Sequence, residues 1–273
     1  MPPFADAHRH LGVLPPYPFY GGPPVSPDIT ARATIAEFMA DLDREGTERA
    51  LILPNYGVPD AKAAFALNDL VVEAAQADDR IRCGLWVSPR PQDAALTTEA
   101  LALAGEPGVR ALKVSFLLGG QASDPACQPV LDRIFAAAEQ YDLVVHVHTS
   151  PGGTSDIDEV GKLVETYADR VAVHLVHYGG GVSGHIKLTG GRFFDWVAAG
   201  KRVYTDLSWA IGFAPRWLMD EIQRRGAGHD RVLFASDEPW GDQPGEYTRL
   251  RAAAGDGELA DLIFRGTFDQ LYG

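Results

Sequence analysis

Two imidazoles stand two residues apart near the start of the chain, in Asp6-Ala7-His8-Arg9-His10. Phe4-Ala5-Asp6-Ala7-His8 reads as a short buried strand. Residues two apart in a strand share a face, so His8 and His10 project to one side at its C-terminal end. So placed, they can grip one metal ion. Three further residues of ligand type, His148, His177 and Asp237, follow apolar runs farther along. A lone His-x-His pair is common by chance, but ligand-type residues at the ends of strands one, five, six and eight are not. Neutral imidazole and carboxylate suit Zn²⁺, Mn²⁺ or Fe²⁺, with Zn²⁺ the first expectation. Three histidines and one aspartate leave room for a water or a substrate oxygen, and such an ion brings the pKa of a bound water to roughly 7. Asp237 could take the proton. Lys113 has two readings: a cation that orients a substrate carboxylate or, if carboxylated by CO₂, a bridge between two metals. One ion is favoured over two, because Lys113 already has a task in binding substrate.

These residues need a scaffold that brings eight chain segments to one rim. Apolar runs recur at 49–54, 82–87, 109–114, 143–148, 171–177, 202–206 and 231–235, which with the first makes eight. Runs of Val, Ile and Leu without polar alternation indicate strands buried on both faces, as in parallel sheets. Between them lie alanine-rich stretches of helical periodicity, including 34–45, 60–77, 129–140 and 158–168. Eight strands alternating with helices predict an α/β protein, a single-domain (β/α)8 TIM barrel over residues 1–273. An open doubly wound sheet is the weaker alternative, since no GxGxxG turn follows the first strand. In a barrel of this kind the active site lies at the C-terminal strand ends, where every candidate ligand falls. Parity gives His146 the same direction as His148, turns His174 outward to the helices, and turns Arg9 away from the metal.

The chain of 273 residues is 46% hydrophobic and 22% charged, with a net charge of −13 spread along its length. That argues against nucleic acid or an anionic membrane as partner. No signal-like N-terminus and no apolar run of about eighteen residues occurs. Cys83 and Cys127 form no CxxC pair, so a reducing cytoplasm is expected. A homo-oligomer is allowed by the sequence and not demanded by it.

The motifs resemble the amidohydrolase superfamily, in the branch that holds metal-dependent hydrolases and non-oxidative decarboxylases of the aminocarboxymuconate-semialdehyde and resorcylate type. Asp6-Ala7-His8-Arg9-His10 matches the first-strand motif. Val145-His146-Val147-His148-Thr149, His177-Tyr178-Gly179-Gly180, Tyr204-Thr205-Asp206-Leu207-Ser208 and Leu233-Phe234-Ala235-Ser236-Asp237-Glu238-Pro239 resemble those of strands five to eight. The resemblance implies that His8, His10, His148 and Asp237 bind the metal. It makes His177 either a ligand to a second metal or a free acid–base group. Thr267 stands where the family usually has Asn, and only packing should feel the change.

Aromatic residues gather near the expected rim: Tyr17, Phe19, Tyr20, Tyr56, Phe116, Tyr178, Trp209, Phe213 and Trp240. With Lys113, the residues expected to bind substrate are Phe116, Tyr178, Trp209 and Trp240, around a small and fairly apolar molecule. Residues 15–27 read as a loop over the barrel mouth. Only Lys113, Arg9 and Arg90 are candidates for gripping a substrate carboxylate, which disfavours polyphosphates. Two reactions fit. The first is hydrolysis of an amide, lactone or thioester by a metal-activated water, with Asp237 and His177 as catalytic groups. The alternative is non-oxidative decarboxylation of an aromatic or unsaturated acid. The chain is shorter than the typical decarboxylases, which leans the expectation toward a hydrolase.

Overall fold

The apolar runs do form strands buried on both faces. In the computed structural model of the protein, residues 3–13, 33–55 and 61–273 are described, together with the backbone of 17–18 and 24–25. Eight parallel strands follow in chain order: β1 (Phe4–Leu11), β2 (Thr47–Pro54), β3 (Ile81–Val87), β4 (Val109–Val114), β5 (Val144–Val147), β6 (Val173–Leu175), β7 (Val203–Asp206) and β8 (Val232–Leu233). Helices alternate with them, so the fold is the (β/α)8 barrel. The first interstrand helix, Ile35–Glu45, starts at Thr34 through a reciprocal capping box with Glu37 and stops at Gly46 in the left-handed conformation. The stretch expected as one helix over 60–77 is two, Ala61–Phe65 and Asn68–Ala77. From residues 15–27, a two-residue antiparallel ladder pairs Tyr17–Pro18 with Pro24–Val25. The rest of that expected rim loop lies outside the described residues.

The barrel closes where the chemistry is. Ala7 N donates to Phe234 O (3.0 Å), Asp237 N to His8 O (2.8 Å) and His10 N to Glu238 O (2.8 Å). Closure thus lays the segment after β8 against β1 and sets Asp237 beside both histidines. Asp6 ties the same seam. Its buried carboxyl accepts from His8 N (3.2 Å), Ser236 N (3.0 Å) and Ser236 Oγ (2.6 Å). Burial pushes its pKa up to about 7, against the lowering influence of Arg9 and these hydrogen bonds.

The two larger apolar cores among the described residues lie on either face of the sheet. The larger lies between the strands and the helices. The smaller fills the lower barrel with Ala5, Ala7, Leu51, Ala111, Val144, Ala172, Leu233 and Ala235, closed from below by Phe268 and Tyr272. Thr267, at the start of the helix Thr267–Tyr272 that closes the barrel, is fully buried. Climbing two residues along a strand keeps the inward face, and there the lining turns polar. Ala111 is followed by Lys113, Val144 by His146 and then His148, and Ala172 by His174. Register aligns Lys113, His146 and His174 side by side across β4, β5 and β6. Both cysteines are free and buried. No helix among the described residues is long and apolar enough to cross a membrane.

Candidate metal centre

Strict alternation along β1 would not place His8 and His10 inside. Ala5 and Ala7 face the lower core, so an even-numbered residue should face outward. The ladder with β2 slips here: Asp6 pairs with Ala50, yet Arg9 pairs with Ile52, so β1 holds one extra residue. This bulge re-aims the strand. His8 and His10 then point inward, and Arg9 points outward to Glu45 and over the Phe38 ring (5.3 Å). Arg9 therefore faces away from the site, as its parity predicted.

The donor atoms converge. His8 Nε2 and His10 Nε2 are 3.1 Å apart, and Asp237 Oδ1 lies 3.1 Å from the first and 3.0 Å from the second. Ligands about 2 Å from one ion are roughly 3 Å from each other, so the spacing fits a shared coordination shell. Proton bookkeeping agrees. His10 Nδ1 lies 3.1 Å from Pro54 O, which can only accept, so in the neutral ring the Nε2 lone pair faces inward. A backbone carbonyl holding the remote N–H is the usual support of a metal-bound imidazole. His8 Nδ1 is buried with no hydrogen-bond partner among the described residues. His148, partly exposed, lines the same cavity, its ring 5.1 Å from that of His177. Burial holds His8 and His148 well below the usual imidazole range. Lys113 adds to this at His8, and His177 at His148. Neutral rings are the form that binds metal.

Asp237 sits at φ 58°, in the left-handed region. Its carboxylate, 5% exposed, is pushed up by burial but held below the usual range by His177, His10 and Lys113, which outweigh it. Trp209 Nε1 donates to its other oxygen, Oδ2, at 2.7 Å. His177 Nε2 lies 3.8 Å from that same oxygen. Lys113 Nζ reaches His8 Nε2 (3.3 Å) and His146 Nδ1 (3.2 Å). Burial pulls its pKa down to about 8, against the pull of Asp237 and Asp206.

His177 owes its position to a sharp turn. β6 ends at Leu175, and His177 and Tyr178 both adopt left-handed φ, 61° and 48°. Glycines make the turn possible. A Cβ on Gly180 would meet Ser150 Cα at 2.4 Å, and one on Gly184 would meet Gly179 O at 1.9 Å. The turn also breaks the parity count that sent His174 outward. His174 instead points into the barrel, 2.7 Å from Tyr272 OH through Nδ1 and 3.0 Å from Asp206 Oδ2 through Nε2. His146 is fully buried beside it, as expected of a core histidine.

Four of the five expected ligands, His8, His10, His177 and Asp237, are drawn together by direct contacts, and His148 shares their cavity. That cavity, of about 500 Å³, is also lined by Lys113, Trp209 and Trp240. Trp240 is pinned by Nε1 to Asn55 Oδ1 at 3.0 Å. Two expected substrate contacts are corrected. Phe116 and Tyr178 are fully buried outside the cavity lining. Phe116 packs in the outer core, and Tyr178 bonds Thr189 Oγ1 (2.6 Å), stacked on His185. Proximity to a strand end did not say which way either ring would turn. Arg90 is engaged by Asp93 (2.6 Å) and Leu118 O (2.6 Å). Of the three candidate cations, Lys113 alone lines the cavity. Phe213 is exposed and does not line it. Phe19, Tyr20, Tyr56 and the side chain of Tyr17 lie outside the described residues. Asp206 and Ser208 were not singled out from sequence, although both stand within the seventh-strand motif.

The model of the family described as amidohydrolase matches residues 5–273. A search of curated proteins returns no match. Among solved structures, a 2,6-dihydroxybenzoate decarboxylase from Rhizobium superposes with a TM-score of 0.69 at 16% identity, covering 98% of each chain. A dihydroxybenzoic acid decarboxylase from Polaromonas, solved with bound manganese and the inhibitor 2-nitroresorcinol, gives 0.68 at 15% identity, covering 100% of this chain and 97% of that one. A probable 2-pyrone-4,6-dicarboxylic acid hydrolase from Acinetobacter baumannii, with citric acid bound, gives 0.66 at 14% identity and 99% coverage of both. At such identities the superpositions speak for the fold. The match to the family model extends over nearly the whole chain, and on that ground this protein belongs to the amidohydrolase family.

Proposed function

We propose that the protein is a metal-dependent non-oxidative decarboxylase of an aromatic carboxylic acid. The observation that carries this reading is the cavity itself. Two indoles, each fixed by its own N–H, stand over a floor of imidazoles, Asp237 and one lysine. Flat, pinned walls suit a planar ring, and a single cation suits a single carboxylate. Decarboxylases among the superposed structures support the same direction. The length argument for a hydrolase falls away, because the alignment spans 98% of the Rhizobium decarboxylase.

In this reading His8, His10, His148 and Asp237 would hold one divalent ion, with Zn²⁺ and Mn²⁺ both suited to the donor set. Such an ion supplies Lewis-acid polarisation of a substrate oxygen. One ion is favoured over two. The reason is that Lys113 as an ammonium already has a task in binding the substrate carboxylate, which leaves no carboxylated lysine to bridge two ions. Lys113 orients the substrate carboxylate. Trp209 holds Asp237 in place. His177 delivers a proton to the ring carbon as the bond to the carboxylate breaks. That bond's electron pair stays on the ring, CO₂ departs, and solvent returns the proton to the His177–Asp237 pair.

Hydrolysis of a lactone is the second reading. It is favoured by Asp237, whose carboxylate is held in its basic form and is placed to take a proton from water. A substrate panel separates the two. The protein, supplied with Mn²⁺ or Zn²⁺, is offered ortho-hydroxybenzoates, carboxyvanillate-like acids and pyrone carboxylates. Release of CO₂ with the matching phenol is expected. Ring opening of a pyrone without CO₂ would replace decarboxylation by hydrolysis.

A further inference from the structure

The loop that follows β7 reaches both proton-handling groups. Trp209 bonds Asp237, and Ser208 bonds His177. Ser208 is itself held from behind. Asp206 Oδ1 accepts from His177 N (3.2 Å), from Ser208 N (3.0 Å) and from Ser208 Oγ (2.5 Å). The two amides can only donate, so Oδ1 is an acceptor and receives the one hydroxyl proton of Ser208. That leaves Ser208 Oγ only lone pairs for its other neighbour, His177 Nδ1, at 2.8 Å. His177 Nδ1 must therefore carry a hydrogen, and in the neutral ring Nε2 carries the lone pair.

We propose that Ser208, oriented by Asp206, is the positioning residue that holds His177 in the Nδ1–H tautomer, so that the Nε2 lone pair faces Asp237 and the cavity. The arrangement uses four buried residues, Asp206, Ser208, His177 and Asp237. It is directional from end to end. Asp206 fixes the hydroxyl proton, the hydroxyl fixes the ring proton, and the ring turns its free nitrogen toward Asp237 Oδ2. Nε2 is then free to take up the proton that solvent returns and to hand it to the ring carbon, while Nδ1–H stays on Ser208. In the other tautomer the lone pairs of Nδ1 and Ser208 Oγ would face each other. In hydrolases whose histidine is oriented by an aspartate, a change that reverses the tautomer with the geometry intact costs about 10⁴-fold in kcat. A neutral hydroxyl as intermediary selects less strongly than a carboxylate, so a smaller loss is expected here.

The inference rests on His177 being the proton-handling group, but its first test needs no substrate. Long-range ¹H–¹⁵N correlation of histidine-labelled protein, metal-free and Zn²⁺-loaded, reads the tautomer of each ring, with His177→Gln used to assign the signal. Nδ1–H is expected for His177 in the wild type. It should be retained in Ser208→Thr and lost to a mixture or to Nε2–H in Ser208→Ala. With a substrate from the panel, Ser208→Ala should lower kcat about 10- to 100-fold with KM little changed, and Ser208→Thr should restore most of it. An Nε2–H tautomer in the wild type would overturn the proposal even if Ser208→Ala fails to fold. So would Ser208→Ala with an unchanged tautomer. Failure of the whole substrate panel would count against the decarboxylase reading and leave the tautomer result standing.

Discussion

Asp237→Asn should lower kcat by at least about 10²- to 10⁴-fold while leaving the barrel folded. The expectation of an intact fold comes from the backbone. Asp237 has φ 58°, and Asn is among the residues that tolerate this region best. The expectation of lost activity comes from the contacts. Oδ1 lies 3.0 and 3.1 Å from His10 and His8 Nε2, and Oδ2 receives the Trp209 N–H at 2.7 Å. A carboxamide has one acceptor oxygen for these two tasks. If the oxygen serves Trp209, the NH₂ group points at the imidazole lone pairs and at the place of the ion. If it serves the ion, two N–H donors face each other. Both orientations weaken metal binding, and neither restores the charge. Activity, metal content and the thermal midpoint measured together test this. Near-native turnover would remove Asp237 from the site.

Replacing His177 should separate catalysis from metal binding. In the one-ion reading His177 handles the proton, and the variant should lose at least about 10²-fold in kcat yet keep one equivalent of metal. The left-handed turn complicates the choice of substitution. Ala at φ 61° costs roughly 1 kcal/mol of stability, so His177→Asn is the cleaner partner to His177→Ala. A fall from two equivalents to one would instead establish a two-metal site, with His177 and a carboxylated Lys113 as its added ligands, and would favour hydrolysis.

The scaffold was legible because its signal is repeated eight times. Each strand is an apolar run buried on both faces, and small shifts in its ends do not alter the count. The candidate ligands were picked out for a related reason: His8, His10, His148 and Asp237 follow such runs, and the fold brings them to one cavity. Direction was harder to read. Parity worked on β5, where His146 and His148 share a face, and it placed Arg9 outward. The bulge in β1 changes which face His8 and His10 occupy relative to Ala5 and Ala7. Nothing in the local composition announces that extra residue. His174 was sent outward because the count ran through a left-handed turn at His177, where alternation no longer applies. Phe116 and Tyr178 were misplaced because they were chosen for nearness to a strand end, which does not say which way a ring turns; both are fully buried. Asp206 and Ser208 went unnoticed because their role lies in a hydrogen-bond direction, and residue type alone does not encode one.

The central claim is that the strand-end donors form a divalent metal centre on which turnover depends. Its most direct test is elemental analysis of protein purified without chelator, followed by dialysis against a chelator and return of Zn²⁺ or Mn²⁺, with the His10→Ala variant alongside. One equivalent per chain is expected, removed together with activity, restored with it, and strongly depleted in His10→Ala. A folded protein that takes up neither ion at saturating concentration, or that turns over equally well after chelation, would contradict the claim.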